Sequence, residues 1–144
     1  MQSFLLDIVT PERTAYTDTV MAVSVPTPMG AVGVLPKHVG LFSVLGEGEV
    51  KITTKDRELF LAIGGGFMEV TKEKVSILVS RAVHADELNE KAIIEAEARA
   101  RDIVARKIKG DEMAAAQAIL RRSILEMNVK RHAARRHQSP LGSH

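Results

Sequence analysis

The sequence predicts a mainly β member of the α+β class: an N-terminal antiparallel β-sandwich or barrel of short strands, followed by a C-terminal αα-hairpin. Two observations carry this. Up to about residue 84 the apolar residues recur every second position between closely spaced turn signals; beyond it they recur every third or fourth. A third concerns composition. With 45% hydrophobic and 26% charged residues but few aromatics, the 144-residue chain has the make-up of a globular protein with an aliphatic interior.

The strand signals run in order. Phe4, Leu6 and Ile8 alternate with Leu5, Asp7 and Val9, and Met21, Val23 and Val25 repeat the pattern. Val50 and Ile52 alternate with charge, Leu59, Leu61 and Ile63 face away from Glu58, and Val75, Ile77 and Val79 alternate with Ser76 and Ser80. Between them stand Thr10-Pro11, Pro26-Thr27-Pro28, Gly30, Gly33, Pro36, Gly40, Gly46, Gly48, Lys55-Asp56 and Lys72-Glu73-Lys74. That spacing leaves no room for crossover helices.

From Asp86 the chain contains no proline until Pro140, and alanine becomes abundant. Asp86 is the expected N-cap, with Asn89 where a full capping box would place Glu. Gly110-Asp111 reads as a C-cap followed by a fresh N-cap, giving two helices of roughly 24 and 27 residues. The first carries a stripe of Leu88, Ala92, Ala96, Ala100 and Ile103; the second carries Met113, Ala116, Leu120, Ile124 and Met127. Seams this rich in alanine bury little area per position, so the hairpin is expected to be held closed only modestly. The organisation is therefore a sandwich over residues 1–84, a hairpin over 85–137 and a polar tail with helix breakers over 138–144.

The absence of cysteine excludes disulfides and thiolate chemistry. The opening MQSFLLDIVTPER lacks the plan of a signal peptide, and no apolar run approaches the ~20 residues that span a bilayer. Residues 111–144 carry six Lys/Arg against three Asp/Glu. From Arg121 onward, Arg121, Arg122, Lys130, Arg131, Arg135 and Arg136 face a single acid, Glu126, which points to an acidic partner surface.

Three stretches invite chemistry. Gly64-Gly65-Gly66-Phe67-Met68-Glu69-Val70 lacks the Lys, the hydroxyl and the following helix of a phosphate loop, and reads as a turn or bulge where side chains would collide. His38 is a conceivable general base or metal ligand, but no acid lies nearby in sequence to orient it, and a rim histidine that packs or meets a partner is favoured. His132 and His137 stand five apart among arginines, off the spacing that aligns two metal ligands on one helix face. No metal or cofactor is expected. Nucleic acid is disfavoured because no aromatic stacking platform accompanies the basic cluster.

Gly30-x-x-Gly33-Val34-Leu35-Pro36-x-His38, then Gly65-Gly66-Phe67-x-Glu69-Val70, then Val75-x-Ile77-Leu78, then a helical hairpin, resembles the epsilon subunit of bacterial F-type ATP synthase, whose mitochondrial counterpart is called delta. The likeness runs in order over residues 3–137 and rests on order, spacing and length rather than on one motif. It implies a β-sandwich of about ten strands followed by two helices, and a non-catalytic subunit of the central stalk. The expected localisation is peripheral, at the cytoplasmic face of the bacterial inner membrane, with the membrane met only through the c ring.

Residue by residue, the resemblance assigns Thr10, His38, Leu41, Phe42 and Ser43 to the gamma subunit. Thr27, Pro28, Met29, Gly30, Ala31 and Val32 match the region that meets the c ring. The C-terminal helices would meet the alpha and beta subunits of the catalytic head, with the basic cluster Arg121, Arg122, Lys130, Arg131, Arg135 and Arg136 against acidic segments of beta, when the helices detach and block ATP hydrolysis. Two departures stand out. Lys37-His38-Val39-Gly40-Leu41 lacks a glycine and a proline that the family often has, and Ala31 replaces an acidic or polar residue. The ATP-binding motif of some members is degenerate here: Glu87-Leu88-Asn89-Glu90-Lys91-Ala92 lacks the aspartate and has Lys91 for arginine, so ATP binding is expected to be weak or absent. An adaptor that presents its basic hairpin to acidic protein or RNA is the alternative from another class.

Overall fold

The computed structural model describes residues 2–35 and 40–138. Ten strands form two five-stranded sheets. They are β1 (Phe4–Val9), β2 (Thr14–Val20), β3 (Ala22–Thr27), β4 (Gly30–Val34), β5 (Leu41–Leu45), β6 (Gly48–Thr53), β7 (Glu58–Ile63), β8 (Gly66–Val70), β9 (Lys74–Val79) and β10 (Ala82–His84). One sheet has the order β2-β1-β9-β8-β5 and the other β10-β7-β6-β3-β4. We call them the front and back sheets.

The period-two residues meet between the layers. Leu6, Ile8, Val23, Val25, Val50, Ile52, Leu61, Ile63 and Ile77 are fully buried there with Met68. Such alternation fixes register, since a one-residue slip would turn each apolar set outward. The sandwich departs from all-antiparallel pairing at one place: β1 and β9 run parallel, with Leu6 opposite Val75 and Ile8 opposite Ile77. Seven intervening strands supply the long return that a parallel pair requires.

The triple glycine lies where the chain passes from β7 in the back sheet to β8 in the front sheet, so its flanking strands do not form a hairpin. A Cβ on Gly66 would fall 2.0 Å from the Leu78 carbonyl oxygen, and one on Gly64 would fall 2.3 Å from Ser80 Oγ. Close approach of the adjacent strand's backbone accounts for Gly66, and the Ser80 side chain crowds Gly64.

A 3₁₀ turn, Ala85–Glu87, leads to α1 (Glu90–Ala105) and α2 (Asp111–Gln138). Asp86 is not the N-cap: Asn89 is, accepting the Ala92 N–H on Oδ1 at 3.0 Å. The Glu87 carboxylate is drawn to Arg13 on the sandwich, which holds this segment out of the helix. The first helix also stops short of Gly110. Arg106 is its C-cap, Lys107 takes the left-handed conformation (φ 57°), and Gly110 (φ 81°) opens α2 by accepting the Ala114 N–H. Asp111 and Glu112 then place negative charge on the positive end of α2.

The helices do not stand free. The second lies on the outer face of the back sheet, where Phe60 and Ala62 of β7 join Ala85, Leu88, Ile93 and Val129 in a second apolar cluster. This makes β7 buried on both faces and explains its unbroken run Phe60-Leu61-Ala62-Ile63. Between the helices the seam holds Ala100 and Ala116, both buried as expected. Ala92 and Ile124, assigned to the same stripes, are exposed, because α1 turns Ile93 inward and α2 turns Ser123, Glu126 and Val129 inward instead.

Candidate interaction surfaces

One face of the sandwich is covered by α2, and among the described residues the other is bare. Alternation along β1, β5, β8 and β9 that points Leu6, Leu45, Met68 and Ile77 inward points Val9, Val44, Phe67 and Leu78 outward. The register makes these four a row: Val9 opposite Leu78, Leu78 opposite Phe67, Phe67 opposite Val44. Phe42 stacks on Phe67 with ring centroids 5.6 Å apart and is 65% exposed. A charged margin borders the row. Asp7 accepts from the Thr17 hydroxyl and from Lys74 Nζ, 3.2 Å away, and that pairing keeps its carboxyl below the usual range.

Of the residues assigned to gamma, Phe42 adjoins this row through its stacking on Phe67. Leu41 turns inward against the core, and Ser43, on the same side of β5, gives its hydroxyl to the Val44 carbonyl. Thr10 is buried and closes the β1–β2 turn by accepting the Arg13 N–H and donating to the Arg13 carbonyl, both at 3.1 Å. His38 lies outside the described residues. Sequence reasoning missed Val9, Val44, Phe67 and Leu78 as surface. Their signal was available: the partners of inward residues on a strand are apolar too.

The six residues assigned to the c ring sit together on the β3–β4 hairpin. Thr27 shapes its tip, donating its hydroxyl to the Gly30 carbonyl (2.7 Å) and accepting the Met29 N–H, while Gly30 takes φ 114°. Met29 is 95% exposed. Ala31 and Val32 follow on β4, an edge strand that among the described residues pairs only with β3. No charged residue occurs from Met21 to Pro36, so this hairpin presents an uncharged tip.

The basic cluster on α2 is divided. Arg121, Arg122, Arg131 and Arg135 face solvent, Arg131 donating to Asn128 Oδ1 at 3.0 Å. Lys130 is turned toward the sandwich instead, with Nζ 3.3 Å from the Ala85 carbonyl oxygen and 3.0 Å from that of Leu88. Arg136 lies within the helix. Two contacts that the sequence did not disclose add to the docking: the ion pair of Arg81 with the buried Glu126, and a hydrogen bond between His132 Nδ1 and Glu49 Oε2 at 2.7 Å. Glu126 had one visible signal, as the lone acid in a basic stretch.

At the degenerate nucleotide motif two polar side chains, Glu87 and Asn89, are already engaged. Arg13 grips Glu87 through two hydrogen bonds of 2.8 and 2.9 Å, and the His84 N–H donates to the same carboxylate at 2.9 Å. The Arg13 guanidinium and the His84 amide hold that carboxyl down to about 2. Asn89 is occupied as a cap, and Lys91 and Ala92 are exposed. Among the described residues no group of three or more His, Asp or Glu side chains is placed to hold a metal ion. No described helix is long and apolar enough to cross a membrane.

A sandwich with one bare apolar face, an uncharged protruding hairpin and a docked basic helix pair belongs to the class of proteins that work by contact with other subunits. The sequence of residues 3–85 matches the family model described as "ATP synthase, Delta/Epsilon chain, beta-sandwich domain". Among curated relatives, the ATP synthase epsilon chain of Chloroflexus aggregans is 40% identical over 135 residues, covering 93% of this chain and 97% of the relative. That of Herpetosiphon aurantiacus is 36% identical over 124 residues, covering 86% and 91%. A chain of the Euglena gracilis mitochondrial ATP synthase structure containing OSCP, F1 and the c-ring shares the fold, with a TM-score of 0.65 at 22% identity, covering 92% of this chain and 81% of the other. The chain belongs to the ATP synthase delta/epsilon family.

Proposed function

We propose that this chain is a non-catalytic subunit of the central stalk of an F-type ATP synthase, joining a rotating shaft to a membrane ring and regulating ATP hydrolysis through its helices. The observation that carries the reading is the row Val9, Leu78, Phe67 and Val44 with Phe42 on the bare front sheet. Contiguous exposed apolar surface of this kind, rimmed by charge, marks a protein interface. Its occupant in this reading is the gamma subunit, with Phe42 and Phe67 as the aromatic anchors.

The β3–β4 tip is the contact to the c ring. An uncharged tip led by Met29 favours apolar packing over ion pairing, consistent with alanine at position 31. The solvent-facing arginines Arg121, Arg122, Arg131 and Arg135 are available to acidic segments of the catalytic head, alpha and beta, once the hairpin moves. Regulation is by contact, with no bond made or broken. The subunit sits at the cytoplasmic face of the membrane and meets lipid only through the ring.

The test is steady-state ATP hydrolysis by the cognate catalytic head and gamma, depleted of this subunit and titrated with the full chain. Wild type should bind and slow hydrolysis. A variant with Arg121, Arg122, Arg131 and Arg135 changed to Glu should bind equally and slow it less. Equal slowing by both would remove the basic helix from regulation, and failure of wild type to bind would overturn the stalk assignment.

A further inference from the structure

The connector between sandwich and helices is held in two different ways. Ala85–Glu87 is fastened to the sandwich: Glu87 is gripped by Arg13 and by the His84 N–H, Arg13 also donates to the Ala82 carbonyl at 2.8 Å, and the Leu88 N–H closes the turn on the Ala85 carbonyl at 3.2 Å. Arg13, Ala82, His84 and Glu87 all lie outside the two helices, so displacement of α2 breaks none of these bonds. Leu88 and Asn89 follow in extended conformation (φ −81°, ψ 130° and φ −103°, ψ 111°), and only after them does α1 begin. Across this short extended step reaches Lys130, whose ammonium donates to the Ala85 carbonyl on the fastened side and to the Leu88 carbonyl at the step itself.

We propose that Leu88 and Asn89 are the pivot about which the helical hairpin leaves the back sheet, that Ala85–Glu87 stays with the sandwich, and that Lys130 is the catch. This rests on the reading of the hairpin as a mobile regulatory arm. Lys130 then has two mutually exclusive sets of acceptors. Closed, it satisfies two backbone carbonyls; open, it is free for carboxylates on an acidic partner, and its bonds are charge-assisted in both states. An acidic surface therefore competes directly for the residue that keeps the hairpin shut. The four exposed arginines can engage such a surface without first giving up a bond to the sandwich.

The chain has no cysteine, so pairs of spin labels can be placed without background. One pair, at Glu47→Cys and Arg135→Cys, spans sandwich and α2; the other, at Glu12→Cys and Asp86→Cys, reports on the connector, and all four positions are exposed. In the full chain, Lys130→Met should raise the population of long 47–135 distances about tenfold, the worth of about one hydrogen bond to a charged group. The 12–86 distance should not change, and adding Arg13→Met should then lengthen it. Lengthening of 12–86 in Lys130→Met alone would put the pivot upstream and overturn the proposal. If Glu126→Gln opens the hairpin but Lys130→Met does not, the catch is wrong while the mobile arm stands. If neither variant opens it, the mobile arm itself falls.

Discussion

The guanidinium of Arg81, on the turn between β9 and β10, is paired with the carboxylate of Glu126, which α2 buries against the back sheet. The pair is unequally solvated, with the Glu126 side chain 10% exposed and that of Arg81 31%. Removing Arg81 leaves a carboxylate in a nearly dry seam, whereas removing Glu126 leaves a guanidinium that still reaches water. Arg81→Met should therefore cost about 2 kcal/mol of hairpin docking and Glu126→Gln about 1 kcal/mol. A double-mutant cycle on urea unfolding should show coupling on the order of 1 kcal/mol. Additive losses would mean that the two charges do not stabilise each other.

Glu87 supplies a pH dependence. The Arg13 guanidinium and the His84 amide hold its carboxyl at about 2, below its ordinary 4.5. A depressed folded-state value means that the native state stays ionised where the unfolded chain binds a proton. Its contribution is complete above about pH 5 and is lost as pH falls toward 2. Asp7, also lowered, contributes in the same direction, so the comparison must be between wild type and Glu87→Gln. Between pH 5 and pH 3 the urea midpoint of wild type should fall more than that of the variant. Parallel curves would show that the Arg13 pair does not favour folding.

What was legible in the sequence was whatever depended on local periodicity. The inward sets Leu6/Ile8, Val23/Val25 and Val50/Ile52 were readable because each strand needs only its own alternation. Strand β2, Thr14–Val20, has three threonines and little apolar contrast, and β10 has three residues, so neither declares itself. The start of α1 was misplaced because Arg13, 74 residues from Glu87, removes that carboxylate from the helix. The docking contacts were hidden for the same reason: His132 and Glu49 are 83 residues apart. Nothing short-range marks either as a partner.

The bare front sheet predicts a separation of folding from binding. Phe67 is 50% exposed and Phe42 is 65% exposed, so charge at either position disturbs little of the interior. Phe67→Asp should leave the melting temperature within about 2 °C of wild type, as for ordinary surface changes. Its dissociation constant for gamma should rise about 30-fold, the cost of a central aromatic anchor. Calorimetric titration checks the second and a thermal scan the first. Unchanged affinity would assign the gamma contact to another surface.

The triple glycine makes the sharpest prediction about the fold, because two of its members are crowded by different kinds of neighbour. At Gly66 the obstacle is the Leu78 carbonyl, 2.0 Å from where a Cβ would sit, with Val79 Cα at 2.7 Å; both are backbone of the adjacent strand and cannot rotate away. At Gly64 the near obstacle is Ser80 Oγ, which can change rotamer, and the next atoms lie at 3.5 Å. Gly66→Ala must push β8 from β9 in the middle of the front sheet and should cost about 3 kcal/mol, while Gly64→Ala should cost about 1 kcal/mol. Chemical denaturation of the two variants reads the difference directly. Equal losses would mean that backbone freedom at the crossover, which both alanines reduce alike, matters more than the space between the strands.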